Sequence, residues 1–172
     1  SGTAALHLSL KVLGISKGDT VLCPSLTFSA TANVLIYENA IPVFIDVDPK
    51  HWTIDLYLLE KAIKLYQPKA LIAVDLYGQS CDYDVIHDLC IKYEIALIED
   101  AAEGLGSKYK GNKLGSLGSI GIISFNGNKI ITTSGGGMLV SNDEKHVEKA
   151  RYLASQAKEP ELHYEHKELG YN

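Results

Sequence analysis

The sequence predicts an α/β domain in which a mainly parallel sheet is covered by helices on both faces. Two patterns and one bulk property point there. Apolar strand-like runs alternate with helical patterns along most of the 172 residues, and repeated β-α-β order calls for parallel strands joined by helical crossovers. The run "IALIED" (95–100) is apolar without alternation, as suits a strand buried on both faces. With 46% hydrophobic and 22% charged residues, the composition is that of an ordinary globule, long enough for one sizeable core.

The elements follow in order. "SGTAALHLSLKVLG" (1–14) reads as a helix capped by Ser1, with Leu6, Leu8, Leu10 and Leu13 as its apolar residues. "DTVLCPS" (19–25) reads as a strand, "TFSATANVLIYENA" (27–40) as a helix and "PVFIDVD" (42–48) as a strand. "DLYLLEKAIKLY" (55–66) places apolar residues at helical spacing. A strand "ALIAVDLYG" (70–78), a helix "DYDVIHDLCIKYE" (82–94) and the strand 95–100 follow. After Gly104 the rhythm changes: 106–125 reads as a turn-rich hairpin before a strand, 129–141 as two short strands about a glycine turn, and 143–157 as a helix. There is no internal repeat, low-complexity segment or linker.

Several function classes are disfavoured. Sixteen Lys and Arg against twenty-one Asp and Glu give a net charge of −5, and no basic run is interleaved with aromatics, so nucleic acid is not an expected partner. No apolar stretch approaches the roughly 18 to 20 residues of a membrane span. Cys23, Cys81 and Cys90 are an odd count without CxxC spacing; neither a disulfide framework nor a zinc site is expected, and a reducing, cytoplasmic setting is. The chain opens without Met directly on a helix and stops at "ELGYN", which suggests a piece of a longer enzyme.

In open α/β sheets ligands bind beyond the carboxyl ends of the strands, and here those ends are polar: "DLYGQ", "EDAAEGLGS" and "SFNGNK". Asp100, beside Glu99, sits at one such mouth; a carboxylate there is a helix cap in many proteins, yet it also suits a charge-assisted bond to an aromatic N–H. Gly2, Thr3 and Ala4, after Ser1, offer helix-start N–H groups to an anion, and Ser124 adds a hydroxyl. Phe28, at the start of its helix, offers a ring to stack on a flat ligand. A lysine chosen blindly is solvated. Lys129, however, follows a strand amid Ser124, Asn126, Gly127 and Asn128, and in a dry strand-end pocket desolvation favours the neutral, nucleophilic amine. A lysine, a ring-nitrogen carboxylate and a phosphate-binding helix start are together what pyridoxal 5′-phosphate requires.

The segments "SGTAALHL", "PSLTFSATAN", "PVFIDVD", "DLYGQ", "EDAAEGLGS" and "SFNGNKIITTSGGGMLV" occur in the order found in the DegT/DnrJ/EryC1/StrS family of sugar aminotransferases. The resemblance covers nearly the whole chain. It implies the fold type I aminotransferase large domain, a three-layer αβα architecture over 1–172, in a longer protein that also has an N-terminal arm and a C-terminal small domain. By resemblance Lys129 is the lysine that carries the cofactor's aldehyde and serves as general base, and Asp100 pairs with the pyridine nitrogen. Ser124 with Gly2, Thr3 and Ala4 forms the phosphate cradle, and Phe28 stacks on the ring. Glu103 stands where many members have Gln or His near the phenolic oxygen, and a carboxylate accepts but does not donate unless protonated. Ser25 and Asn126 are further pocket candidates. "NGNKIITTSGGGML" and "LHYEHKELGYN" most resemble the enzymes that aminate C4 of a UDP-linked 4-keto-6-deoxy-N-acetylhexosamine, as in bacillosamine synthesis. Glutamate as donor, a nucleotide-linked keto-sugar as acceptor and a homodimer are implied. The alternative is a cofactor-binding regulatory or structural homologue without turnover.

Other signals are weaker. "SFNGNK" lacks P-loop spacing and "GSLGSIG" is not GxGxxG. Asp46 and Asp48 of "DVD" suit a strand-end turn better than a metal, and His163 and His166 lie in a polar tail. The glycines 135–137 either let the backbone approach the site or simply turn a hairpin.

Overall fold

A computed structural model describes residues 1–172. Its sheet has six strands in the order β2-β1-β3-β4-β7-β8, namely β1 (Thr20–Pro24), β2 (Ile41–Ile45), β3 (Ala70–Val74), β4 (Ala96–Asp100), β7 (Ile120–Ser124) and β8 (Gly137–Val140). All neighbours are parallel except β7 and β8. Burial explains the sequence pattern: β3 is buried at every position, which removes the polar alternation that a solvent-facing strand would show. A small antiparallel hairpin, β5 (Lys108–Tyr109) and β6 (Asn112–Lys113), lies apart.

Helices cover both faces. Leu6 and Leu10 of α1 (Gly2–Val12) and Val34 and Leu35 of α2 (Ala30–Tyr37) pack with Ile72, Ile98, Ile120 and Ile122. On the other face Leu59 and Ile63 of α3 (Leu56–Tyr66) and Tyr83 and Ile86 of α4 (Tyr83–Lys92) pack with Leu71, Ala73 and Leu97. Alternation of side chains along each strand separates the two sets. The final helix, α5 (Glu144–Ala154), lies near α1 and β8. The three-layer αβα order is therefore as expected. Caps begin the helices where the sequence places oxygens: Ser1 Oγ accepts from Ala4 N–H at 3.2 Å, and Asp55 Oδ1 from Leu58 N–H at 2.9 Å.

Three boundaries near the site differ from the sequence expectation. The strand expected over 70–78 ends at Val74, and Leu76–Gly78 forms a 3₁₀ turn. Helix α2 begins at Ala30, so Phe28 precedes it rather than opening it. Thr27 Oγ1 hydrogen-bonds Thr31 Oγ1 at 2.8 Å across that entry. The segment 129–141 contains one strand, not two. Its partner position on β7 is taken by Gly137–Val140, and 125–136 forms a loop closed by Phe125 N–H to Gly136 O at 2.9 Å and Thr133 N–H to Phe125 O at 3.0 Å. Lys129 thus sits on a loop just past the strand, its N–H bonded to Asn126 O at 3.0 Å.

Candidate active site

Strand order reverses direction at β1, whose neighbours β2 and β3 lie on opposite sides, and the carboxyl side of such a switch is where an α/β sheet opens a crevice. A cavity of about 290 Å³ lies there. Each of the central strands delivers residues to it: Thr27 and Phe28 after β1, Leu76 after β3, Asp100 and Glu103 at β4, and Ser124 at β7. The start of α1 closes one side with Ser1, Gly2 and Thr3, and the 125–136 loop adds Asn126, Asn128 and Lys129.

Asp100 is 6% exposed. Its Oδ1 accepts from Ala102 N–H at 3.1 Å and its Oδ2 from Thr31 Oγ1 at 3.4 Å. Burial pushes the carboxyl up to about 6, against the pull of Ala102 N–H, the Thr31 hydroxyl and Lys129. Lys129 is held in the wall rather than in solvent: its side chain is 14% exposed and Nζ lies 3.4 Å from Glu103 Oε1. Glu103 Oε2 accepts from Tyr77 N–H at 2.8 Å, so this carboxylate bridges the lysine and the single 3₁₀ turn Leu76–Gly78, where Tyr77 has φ 53°. Such a backbone is strained for a non-glycine residue.

The anion end is built by close approach. A Cβ on Gly2 would stand 2.9 Å from Ser124 Cβ, closer than real Cβ contacts, so only glycine brings the first turn of α1 against buried Ser124. Gly137 serves the same junction: a Cβ there would collide with the carbonyl of Ser1. The close-approach explanation therefore holds for Gly137, whereas Gly135 faces open space. Backbone N–H groups in the first turn of a helix lack intrahelical partners and carry the positive end of its dipole.

Two sequence candidates lie outside the cavity. Ala4 spends its N–H on Ser1 Oγ and borders a groove beside β8 instead. Ser25 is exposed and donates to Asp46 Oδ1 at 3.3 Å. Phe28 lines the cavity with 71% of its surface exposed, an apolar ring facing water at the mouth. The acidic pair is used up by its turn: Asp46 Oδ1 accepts from Val47 N–H, and Asp48 Oδ1 from the N–H groups of Lys50 and His51. Sequence reasoning missed Thr27, Thr31, Leu76 and Asn128. "DLYGQ" marked the loop of Leu76; Thr31 carried no signal, since a threonine inside a helical pattern reads as ordinary filling.

Comparison with known proteins shows the family. The model of the DegT/DnrJ/EryC1/StrS aminotransferase family matches residues 1–172. EpsN of Bacillus subtilis (strain 168), assigned as a pyridoxal phosphate-dependent aminotransferase, is 58% identical over 177 residues, covering 100% of this chain and 46% of the relative. GDP-perosamine synthase of Caulobacter vibrioides is 45% identical over 172 residues, again covering 100% and 46%. The X-ray structure of the aminotransferase from Psychrobacter cryohalolentis superposes with a TM-score of 0.93 at 34% identity, over 100% of this chain and 46% of that one. The chain spans less than half the length of these proteins.

Proposed function

The chain belongs to the DegT/DnrJ/EryC1/StrS aminotransferase family, and from that premise we propose that it forms the cofactor-binding part of a pyridoxal 5′-phosphate-dependent aminotransferase that moves an amino group from glutamate to the C4 keto group of a nucleotide-linked 4-keto-6-deoxy sugar. One observation carries the proposal: Lys129, Asp100 and the Gly2–Ser124 junction border a single cavity. Its residues fit the cofactor. Gly2 leaves room that a Cβ would fill beside Ser124, and the donors there are amides and a hydroxyl, which suit a phosphate. We assign the sugar to the UDP-linked N-acetylhexosamine class on the strength of the sequence resemblance, and the complete protein as a homodimer with an N-terminal arm and a small C-terminal domain. No helix is long and apolar enough to cross a membrane, and the three cysteines are free and buried, in keeping with a reducing, cytoplasmic setting.

When bound, the cofactor supplies an aldehyde that condenses with amines and a ring that takes up the electron pair released at the donor's α-carbon. The chain's own residues do the rest. The amide groups of Gly2 and Thr3 and the Ser124 hydroxyl would hold the phosphate, and Phe28 at the mouth would stack on the ring. An ionised Asp100 would accept from the ring N–H and keep that nitrogen positive. Lys129 Nζ would anchor the cofactor, and as a general base it would move a proton away from the donor's α-carbon and toward C4 of the acceptor. Glu103, 3.4 Å from Lys129 Nζ, keeps the lysine at the cavity wall.

Sodium borohydride reduction of the full-length, cofactor-loaded protein, followed by peptide mapping, tests the assignment. The label is expected on Lys129; a label on another lysine, or none, overturns it.

A further inference from the structure

On the sheet face opposite Asp100, two acids are fully buried that the proposed chemistry leaves unused. Asp75 follows β3 and Glu99 precedes Asp100 in β4; both are 0% exposed, and because Ala73 pairs with Glu99 in the β3–β4 register, Asp75, two residues further on, leaves the sheet on the same face as Glu99. Asp75 Oδ1 accepts from Cys81 N–H at 3.1 Å and from the Tyr83 hydroxyl at 3.0 Å. Glu99 Oε1 accepts from Gly115 N–H at 2.5 Å, and Oε2 from Leu117 and Gly118 N–H at 2.6 and 3.1 Å. Around the pair stand the Tyr83 hydroxyl of α4 and the Cys81 thiol, which donates to Val74 O. The rings of His87 and Tyr109 lie behind Tyr83, and the 115–118 segment presents only backbone amides. No lysine or arginine pairs with either acid.

Two neighbouring carboxylates buried on one face without a cation do not both ionise. The three amide donors around Glu99 suit it to hold the negative charge, so the proton rides on Asp75. We propose that Asp75 and Glu99 share one proton and act as positioning residues: they clamp segments 75–81 and 115–118, and loss of that proton loosens the Leu76–Gly78 turn that Glu103 links to Lys129. The path is continuous. Asp75 closes the loop through Cys81 N–H, the turn within that loop gives Tyr77 N–H to Glu103 Oε2, and Glu103 Oε1 meets Lys129. The clamp stands on the buried contacts alone; its effect on cofactor loading rests on the aminotransferase proposal.

Burial and Glu99 push Asp75 up to about 8. The folded state therefore keeps a proton that the unfolded state releases, and stability falls as pH rises between the unfolded and folded values, then levels off. Asp75→Asn retains a donor toward Glu99 and an acceptor for Cys81 and Tyr83, but has no proton to lose. Denaturant unfolding of the full-length, cofactor-free protein between pH 5 and 9 compares the two. The ratio of wild-type to D75N folding constants is expected to fall by nearly tenfold per pH unit up to about pH 8 and then to flatten; parallel profiles overturn the shared proton. If D75N does not fold, infrared spectroscopy of the wild type decides: a protonated-carboxyl band that persists at pH 7 and vanishes with a midpoint near 8 supports the pair, and its absence at pH 7 refutes it. Hydrogen exchange at the Tyr77 and Cys81 amides reads the loop, and acceleration above pH 8 beyond the tenfold per unit of free amides is expected; strictly intrinsic acceleration removes the clamp. Borohydride labelling away from Lys129 would overturn the catalytic proposal while leaving these stability results intact.

Discussion

Asp100 shows how one residue sets opposite demands on stability and chemistry. Its carboxyl is pushed up to about 6 by burial; in the proposed reaction it would have to be ionised to hold a ring nitrogen positive, so transfer is expected to decline as pH falls through about 6. Ionising it in the cofactor-free fold is costly, by about 3 kcal/mol. Asp100→Asn, which keeps an acceptor for Ala102 N–H and a donor for Thr31, is therefore expected to raise the cofactor-free stability at pH 7 by up to that amount while lowering transfer by about 10²- to 10³-fold. Parallel unfolding and rate measurements check both signs. Lys129→Arg keeps the positive charge beside Glu103 but cannot act as an amine nucleophile; loss of both the borohydride label and the transfer is expected. Thr31, the residue that gave no hint in the sequence, matters here because its hydroxyl reaches Asp100 from a helix 69 positions away, a distance that no local pattern encodes.

At the scale of elements, the junction of α1 with β7 and β8 is the most constrained part of the site. Gly2→Ala pushes a methyl group into Ser124 and is expected to cost about 1–3 kcal/mol and to weaken phosphate-end binding, measured as the cofactor dissociation constant. Asp55→Ala provides the contrast: it removes the cap of α3, far from the cavity, so about 1 kcal/mol of stability goes with cofactor affinity unchanged. The same junction explains which elements were legible. Strands β1, β3 and β4 and helices α1, α3, α4 and α5 were readable because burial imposes period and continuity on their residues. The second strand expected in 129–141 was not there, because strand propensity in "IITT" cannot reveal that β8 already occupies the only open side of β7.

For the whole molecule, the balance of acids predicts a stability optimum in mildly acidic solution. Asp75 and Asp100 are pushed up by burial to about 8 and about 6, so their contribution declines as pH rises from about 4 toward 8. Surface acids act oppositely: hydrogen bonds to Lys69 and Lys110 hold Asp19 and Asp84 down, and their contribution is lost below about pH 4. Thermal unfolding of the cofactor-free protein is thus expected to peak near pH 5, and a peak at pH 8 or above would contradict the buried-acid account. The sequence by itself determined the layered α/β architecture and the polar strand ends at its carboxyl edge, because periodicity and strand-end polarity are local properties of a chain, and its resemblance to the family named Lys129, Asp100, Ser124 and Gly2 as candidates that the cavity brings together. Only the tertiary structure decided that Ala4 and Ser25 stand outside the cavity, that Glu103 bridges Lys129 to Tyr77, and that Asp75 meets Glu99. Those are contacts between strands and loops distant in sequence, and they exist only once parallel crossovers have brought separate carboxyl ends to one edge.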